Sequence, residues 1–194
     1  MYVLDDFSTN TTGKLNRKMS TSFGELVLVL GDAHIPERAS KIAAAFKRML
    51  VPNKMQHVIC TGNLGSSHEL WNEIQQLAPA IHCVAGDHDI DYKIFPQTSI
   101  IQAGKFRIGV IHGHQLLPLG SKEAVEHIQR KLHVDILVTG HTHQSAVFDE
   151  NDGFYHINPV IPILYYAVKI FIEGSFDLLN SFFPLIFKKL TRDP

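Results

Sequence analysis

Leu26-Val27-Leu28-Val29-Leu30-Gly31-Asp32-Ala33-His34 decides the reading of this chain. Five consecutive aliphatic residues make a strand buried on both faces, as in the interior of a parallel sheet. Gly31 lets the backbone turn sharply. Asp32 and His34 then stand past the strand's carboxyl end, where open α/β sheets carry their ligands. A Gly-Asp turn followed by a histidine is common by itself, so its meaning depends on partners elsewhere in the chain.

Working outward, the same pattern repeats. His57-Val58-Ile59-Cys60-Thr61 runs into Gly62-Asn63, and Ile81-His82-Cys83-Val84 leads to Gly86-Asp87-His88-Asp89. Between these strands lie two helical patterns. Residues 41–50 place Ile42, Phe46, Met49 and Leu50 on one face, and a Ser66–Glu69 capping box starts a helix reaching Leu77. Alternating strands and helices predict a parallel sheet with right-handed crossovers. The second half differs. Residues 99–103 and 106–111 flank Gly104-Lys105 as a hairpin, and the second strand ends in His112-Gly113-His114. Residues 121–132 set Ala124, Ile128 and Leu132 at helical spacing. A strand at 135–139 enters Gly140-His141-Thr142-His143, and strands at 146–149 and 154–157 pair around Asn151-Asp152-Gly153. The expected fold is α/β, a layered β-sandwich of two mixed sheets flanked by helices.

Bulk composition narrows the class. A chain of 194 residues suits one domain, and a net charge of −1 lacks the basic footprint of a nucleic-acid binder. Cys60 and Cys83 both fall in strand-like runs, so buried free thiols in a reducing compartment are expected rather than a disulfide framework. Residues 1–24 are polar, with Ser8-Thr9-Asn10-Thr11-Thr12 followed by Lys14, Arg17 and Lys18. They read as a disordered extension without the apolar core of a signal peptide, and Met19 offers an alternative start. Residues 25–159 form the globular domain. Residues 160–194 are an atypical apolar tail, in which Lys169, Glu173 and Asp177 break the ~18-residue apolar run that a transmembrane helix needs. Irregular helices packed on the core are expected there, with a membrane-surface segment as the alternative.

Five strand ends therefore offer ligand-type side chains: Asp32 and His34, Asn63, Asp87 with His88, His112, and His141 with His143. Carboxylate, carboxamide and imidazole suit a pair of first-row divalent ions. Two such ions ~3.5–4 Å apart clamp a phosphoryl group and acidify a bound water.

These linked motifs, from Gly31-Asp32-Ala33-His34 to Gly140-His141-Thr142-His143, resemble the calcineurin-like metallophosphoesterases over residues 26–159. By that resemblance Asp32, His34, Asn63 and His143 hold one metal. Asn63, Asp87, His112 and His141 hold the other, the ions being Zn or Mn. His88 matches the catalytic imidazole, with Asp89 available to orient it. Two departures weaken catalysis. Active members carry Asp at the bridging position and Asn in the third motif, whereas this chain has Asn63 and Asp87. A neutral carboxamide has one good donor oxygen where a carboxylate has two. The Asp three residues beyond the bridge is Ser66 here.

Asp32-Ala33-His34-Ile35-Pro36, Cys60-Thr61-Gly62-Asn63-Leu64, His112-Gly113-His114-Gln115 and Ile157-Asn158-Pro159 resemble the protein-sorting branch of the family. That branch implies a non-catalytic subunit of the retromer complex in endosome-to-Golgi sorting. It would seat its metal-site face in a large α-solenoid subunit and meet regulators and sorting nexins. It would lie in the cytoplasm and reach the endosome membrane peripherally. Leu116-Leu117-Pro118 is the expected regulator patch. A two-metal phosphodiesterase using His88 is the alternative. Beyond Pro159 the resemblance stops, which predicts that two further sheet strands of the sorting branch are missing and that a sheet edge is left open, which the apolar tail must cover or the domain is weakened.

Overall fold

The computed structural model describes residues 25–42, 44–48, 50–89, 95–144, 146–149, 154–159, 168–172 and 187–190. The expected extension at 1–24, the hairpin tip at 151–153 and most of the tail lie outside them. Along the chain run β1 (Glu25–Leu30), α1 (Ala44–Lys47), β2 (His57–Cys60), α2 (His68–Gln75), β3 (Ala80–Cys83), β4 (Thr98–Ala103) and β5 (Phe106–Ile111). After them come α3 (Lys122–Leu132), β6 (Ile136–Val138), β7 (Ala146–Asp149), β8 (Tyr155–Asn158), β9 (Val168–Ile172) and β10 (Phe187–Leu190).

Two five-stranded mixed sheets result, in the orders β10-β9-β1-β2-β3 and β4-β5-β6-β8-β7. β1, β2 and β3 are parallel, while β9 lies antiparallel to β1. The aliphatic run of β1 is buried on both faces because each face meets a different layer. Val27 and Val29 join Ile59 and Val84 against Ile108, Val110, Ile136, Val138 and Ile157 of the second sheet. Leu28 and Leu30 turn the other way, onto Leu70 and Ile74 of α2. On the far side, Val125 of α3 packs with Ile111, Leu116 and Leu137. The layers are thus helix, sheet, sheet, helix, as the sequence predicts. Each fully buried Leu, Ile or Phe contributes roughly 1.5–3 kcal/mol through removal from water. Cys60 and Cys83 are buried and free, also as expected.

Three local expectations are corrected. The first helix is described over Ala44–Lys47 only, within the expected 41–50. The second is capped by Ser67, whose Oγ accepts from the Leu70 amide at 3.2 Å. Ser66 is drawn elsewhere, its hydroxyl donating to Glu37 Oε1 at 2.8 Å. The tail supplies strands, with β9 paired along β1 from Glu25↔Ile172 to Val29↔Val168 and β10 added outside it. Val168, Ile170 and Ile172 are β-branched and favour extended backbone, and the free edge of β1 needs a partner. The apolar tail therefore does cover a sheet edge, as expected, but with paired strands and not with helices.

Candidate metal centre

β1, β2, β3, β5 and β6 all deliver their following loops to one end of the sandwich, where the side chains of both sheets meet. The backbone there is unusual. His34, Asn63, His141 and His143 adopt φ of 46°, 52°, 66° and 55°, a left-handed region that non-glycine residues enter only where the surroundings hold them. Four of the expected ligands share this conformation. Close loop approach enforces it: a Cβ on Gly86 would sit 2.0 Å from Asn63 Oδ1, so only glycine fits beside the asparagine.

Two groups of donor atoms form. Asp32, His34 and His143 offer atoms all within 4.8 Å of one another. Asp32 Oδ2 lies 3.1 Å from His143 Nε2 and 4.0 Å from His34 Nε2. Asp87, His112 and His114 make the second group, with Asp87 Oδ1 2.9 Å from His112 Nε2 and 3.7 Å from His141 Nδ1. The groups adjoin, because His112 Nε2 is 3.9 Å from Asp32 Oδ2. Asp32, His34, Asn63 and His112 are buried; His141 and His143 are partly open, and Asp87 is exposed. His112 Nδ1 donates to the Thr61 carbonyl at 2.6 Å, which leaves the Nε2 lone pair, met by the Asn63 side-chain amide at 3.1 Å, as the atom an ion would take.

The residues fit a divalent ion. His34 Nε2 and His114 Nδ1 are buried and have no hydrogen-bond partner. An orphaned buried polar atom costs about 1–3 kcal/mol, and a metal ion satisfies such a nitrogen. Burial, then the Arg38 charge, lowers the His34 pKa, and burial followed by His112 lowers that of His114, so both imidazoles stay neutral as ligation requires. Burial tends to raise the Asp87 pKa, but the Asn63 amide and His112 overcome it and bring it to about 2.

Asn63 occupies the place between the groups in an unexpected sense. Its Nδ2 donates to Asp87 Oδ1 at 2.7 Å and meets His112 Nε2 at 3.1 Å, while its Oδ1 accepts from the His88 amide at 2.9 Å. The carboxamide thus presents N–H, not oxygen, to the second group. His88 is at the rim, its side chain 69% exposed, with Nε2 3.7 Å from Asp87 Oδ2. Asp89 does not orient it: the carboxylate accepts from the Asn63 and Gly86 amides at 2.7 and 2.8 Å and ties the two loops together. The short spacing of Asp89 to Gly86 makes the loop amides nearer partners than an outward imidazole.

Two residues were missed in the sequence. His114 joins the second group, a role that its period-two spacing from His112 could have suggested. Arg38 Nη1 stands 3.0 Å from His143 Nδ1, a tertiary contact with no signal in the sequence. The proposed regulator segment splits. Leu116 is buried in the α3 core, whereas Leu117 is 75% exposed, Leu119 is 56% exposed, and Pro118 is exposed.

A family model of the calcineurin-like phosphoesterase superfamily domain matches residues 26–159. The chain is 39% identical over 134 residues to the vacuolar protein sorting-associated protein 29 (Vps29) of Schizosaccharomyces pombe, covering 69% of this chain and 70% of that one. The structure of Vps29 from Cryptosporidium parvum superposes with a TM-score of 0.67 at 37% identity, over 72% and 75% of the two chains. Wild-type Vps29 of Entamoeba histolytica, solved in complex with Zn2+, gives 0.64 at 42% identity, over 70% and 74%. With the fold, the loop constellation and these likenesses together, the chain belongs to the calcineurin-like phosphoesterase superfamily and, within it, to the Vps29 family.

Proposed function

We propose that this protein is a non-catalytic scaffold subunit of a retromer complex for endosome-to-Golgi sorting, docking through its metal-site face onto a large α-solenoid subunit. The observation that carries this reading is the Asn63 carboxamide, which directs N–H at Asp87 and His112 where a bridging carboxylate oxygen would serve two cations. When bound, one or two ions of the Zn or Mn class would supply Lewis acidity and rigidity. Asp32, His34 and His143 would hold one, and Asp87, His112, His141 and His114 the other. Asn63 weakens any shared site by offering a single neutral oxygen, and only after its amide turns.

Leu117 and Leu119 favour a protein partner over this same face. They protrude from the loop that carries His112 and His114, and the Leu116 amide donates to the Gly113 carbonyl at 3.0 Å. In this reading the segment expected to recruit regulators becomes part of the docking face. A solenoid end seated over the site would cover both. Membrane association would be peripheral, through the complex, with endosomal regulators and sorting nexins recruited to other faces. No helix among the described residues is long and apolar enough to cross a membrane.

The test is binding of the purified chain to the α-solenoid subunit, with Leu117→Asp, against hydrolysis of bis(4-nitrophenyl) phosphate in Zn2+ or Mn2+. Lost binding by a folded Leu117→Asp chain, with no turnover by the parent, supports the scaffold. Turnover that disappears in His88→Phe supports the phosphodiesterase reading, which the full donor set and the position of His88 at the rim favour.

A further inference from the structure

A second cluster of titratable groups lies at the other end of the first sheet. Glu25 and His57 open β1 and β2, and His82 lies in β3, with Val27 paired to His57 and Ile59 to His82. Strand alternation puts Glu25 on the face of Val27, His57 on that of Ile59 and His82 on that of Val84, all lining the space between the sheets. His57 Nδ1 is 3.1 Å from His82 Nε2, and the rings stack at 5.3 Å with 29° between planes. On its other side His57 Nε2 is 3.5 Å from Glu25 Oε2. That carboxylate is itself fixed by the Gly104 amide of the β4–β5 turn at 3.2 Å.

We propose that His57 Nδ1 and His82 Nε2 form a separate two-histidine site for a borderline divalent ion of the zinc and copper class, with Glu25 as the carboxylate behind the first imidazole. Four arguments support it. Two nitrogens 3.1 Å apart, each about 2.05 Å from a shared ion, subtend about 98° at it, between octahedral and tetrahedral angles. The Glu25 carboxylate, 3.5 Å from His57 Nε2, favours the tautomer with the proton on that nitrogen and the Nδ1 lone pair facing His82, the arrangement by which carboxylates fix metal-binding imidazoles. The His57 side chain is 18% exposed and that of Glu25 38%, so water can complete the coordination. Burial, then the neighbouring His57, lowers the His82 pKa and keeps its ring neutral. The loops of the first centre follow six to seven residues after Glu25 and His57, on the order of 20 Å away by strand rise. The site is independent of that centre.

Zn2+ binding by the full chain tests this, measured as stoichiometry after dialysis and by titration calorimetry. His57→Gln and His82→Gln should each lose one equivalent of Zn2+, while His141→Gln keeps that equivalent and alters only the first centre. Glu25→Gln should keep the site but bind about 10-fold more weakly. Unchanged stoichiometry and affinity in both histidine variants would overturn the proposal. If either variant fails to fold, substoichiometric Cu2+ added to the wild-type chain decides by NMR. Selective broadening of the His57 and His82 ring protons supports the site. Sharp signals from both rings mean that the pair merely shares a proton.

Discussion

Asn63→Asp would exchange an internal hydrogen bond for a charge clash, and its cost can be worked from the geometry. The wild-type Nδ2 lies 2.7 Å from Asp87 Oδ1 and is the main group holding that carboxyl at about 2 against burial. An oxygen in its place brings two carboxylates to that distance. At an effective dielectric of about 20 the repulsion is about 6 kcal/mol, reduced by the solvent that reaches Asp87. Protonating one of the pair at neutral pH instead costs about 4 kcal/mol, starting from an ordinary carboxyl pKa near 3.9. The pair takes the cheaper route and shares a proton, so metal-free Asn63→Asp should be less stable by about 4 kcal/mol. At roughly 2–4 °C per kcal/mol for a chain of this size, Tm in chelator should fall by about 8–16 °C. A divalent ion between the carboxylates removes the penalty, so Zn2+ affinity should rise by about 10³-fold. Differential scanning calorimetry with chelator and Zn2+ titration of the same preparations measure both. A variant within 2 °C of the parent in chelator, whose zinc affinity changes less than threefold, would refute the assignment of Asn63 as the lock between the two groups.

Arg38→Ala should strengthen Zn2+ binding at Asp32, His34 and His143 by about 10-fold, as read by competition with a chromogenic chelator. Arginine only donates, so its contact with His143 Nδ1 leaves the ring proton on Nε2, facing Asp32, where an ion would bind. Acid should weaken the fold through His156, whose burial lowers its pKa to about 4. The unfolded imidazole takes up a proton below ~6.5 while the buried one resists, so stability is lost as pH falls from 6.5 to 4, by up to about 3 kcal/mol. Urea midpoints should flatten over that window in His156→Gln. Asp87, held at about 2, adds a separate loss only below pH 4. Ser67→Ala should cost about 1 kcal/mol in urea unfolding through the lost cap of α2, and Ser66→Ala less than half of that, since it removes only the exposed contact with Glu37.

How much of this was readable in advance depended on how local each cause was. The run from Leu26 to Leu30 announced a doubly buried strand because neighbours on both sides must be apolar. Gly62, Gly86 and Gly140 marked the loops because turning chains tightly against each other excludes Cβ atoms. The ligand residues followed from those turns. Ser66 and Ser67 are not distinguishable locally because either serine can cap, and a distant carboxylate, Glu37, makes the choice. The roles of Arg38, Asp89 and the Asn63 amide were hidden for the same reason: each is fixed by a loop far away in sequence. The strands of the tail are hard to see in its sequence because strand pairing uses backbone groups that every residue carries. The waiting edge of β1 gives the β-branched residues of Val168–Ile172 a partner to pair with.

That edge also sets an order of events during synthesis. β1, the central strand of its sheet, acquires its inner neighbour β2 as soon as His57–Cys60 emerges, yet its outer neighbour emerges more than a hundred residues later. A nascent chain can gather every loop of the centre while β1 still displays unpaired amides to its surroundings. Closure waits for the arrival of Val168–Ile172. The interval between the two is when a chaperone, or another copy of the strand, would find the growing protein most receptive.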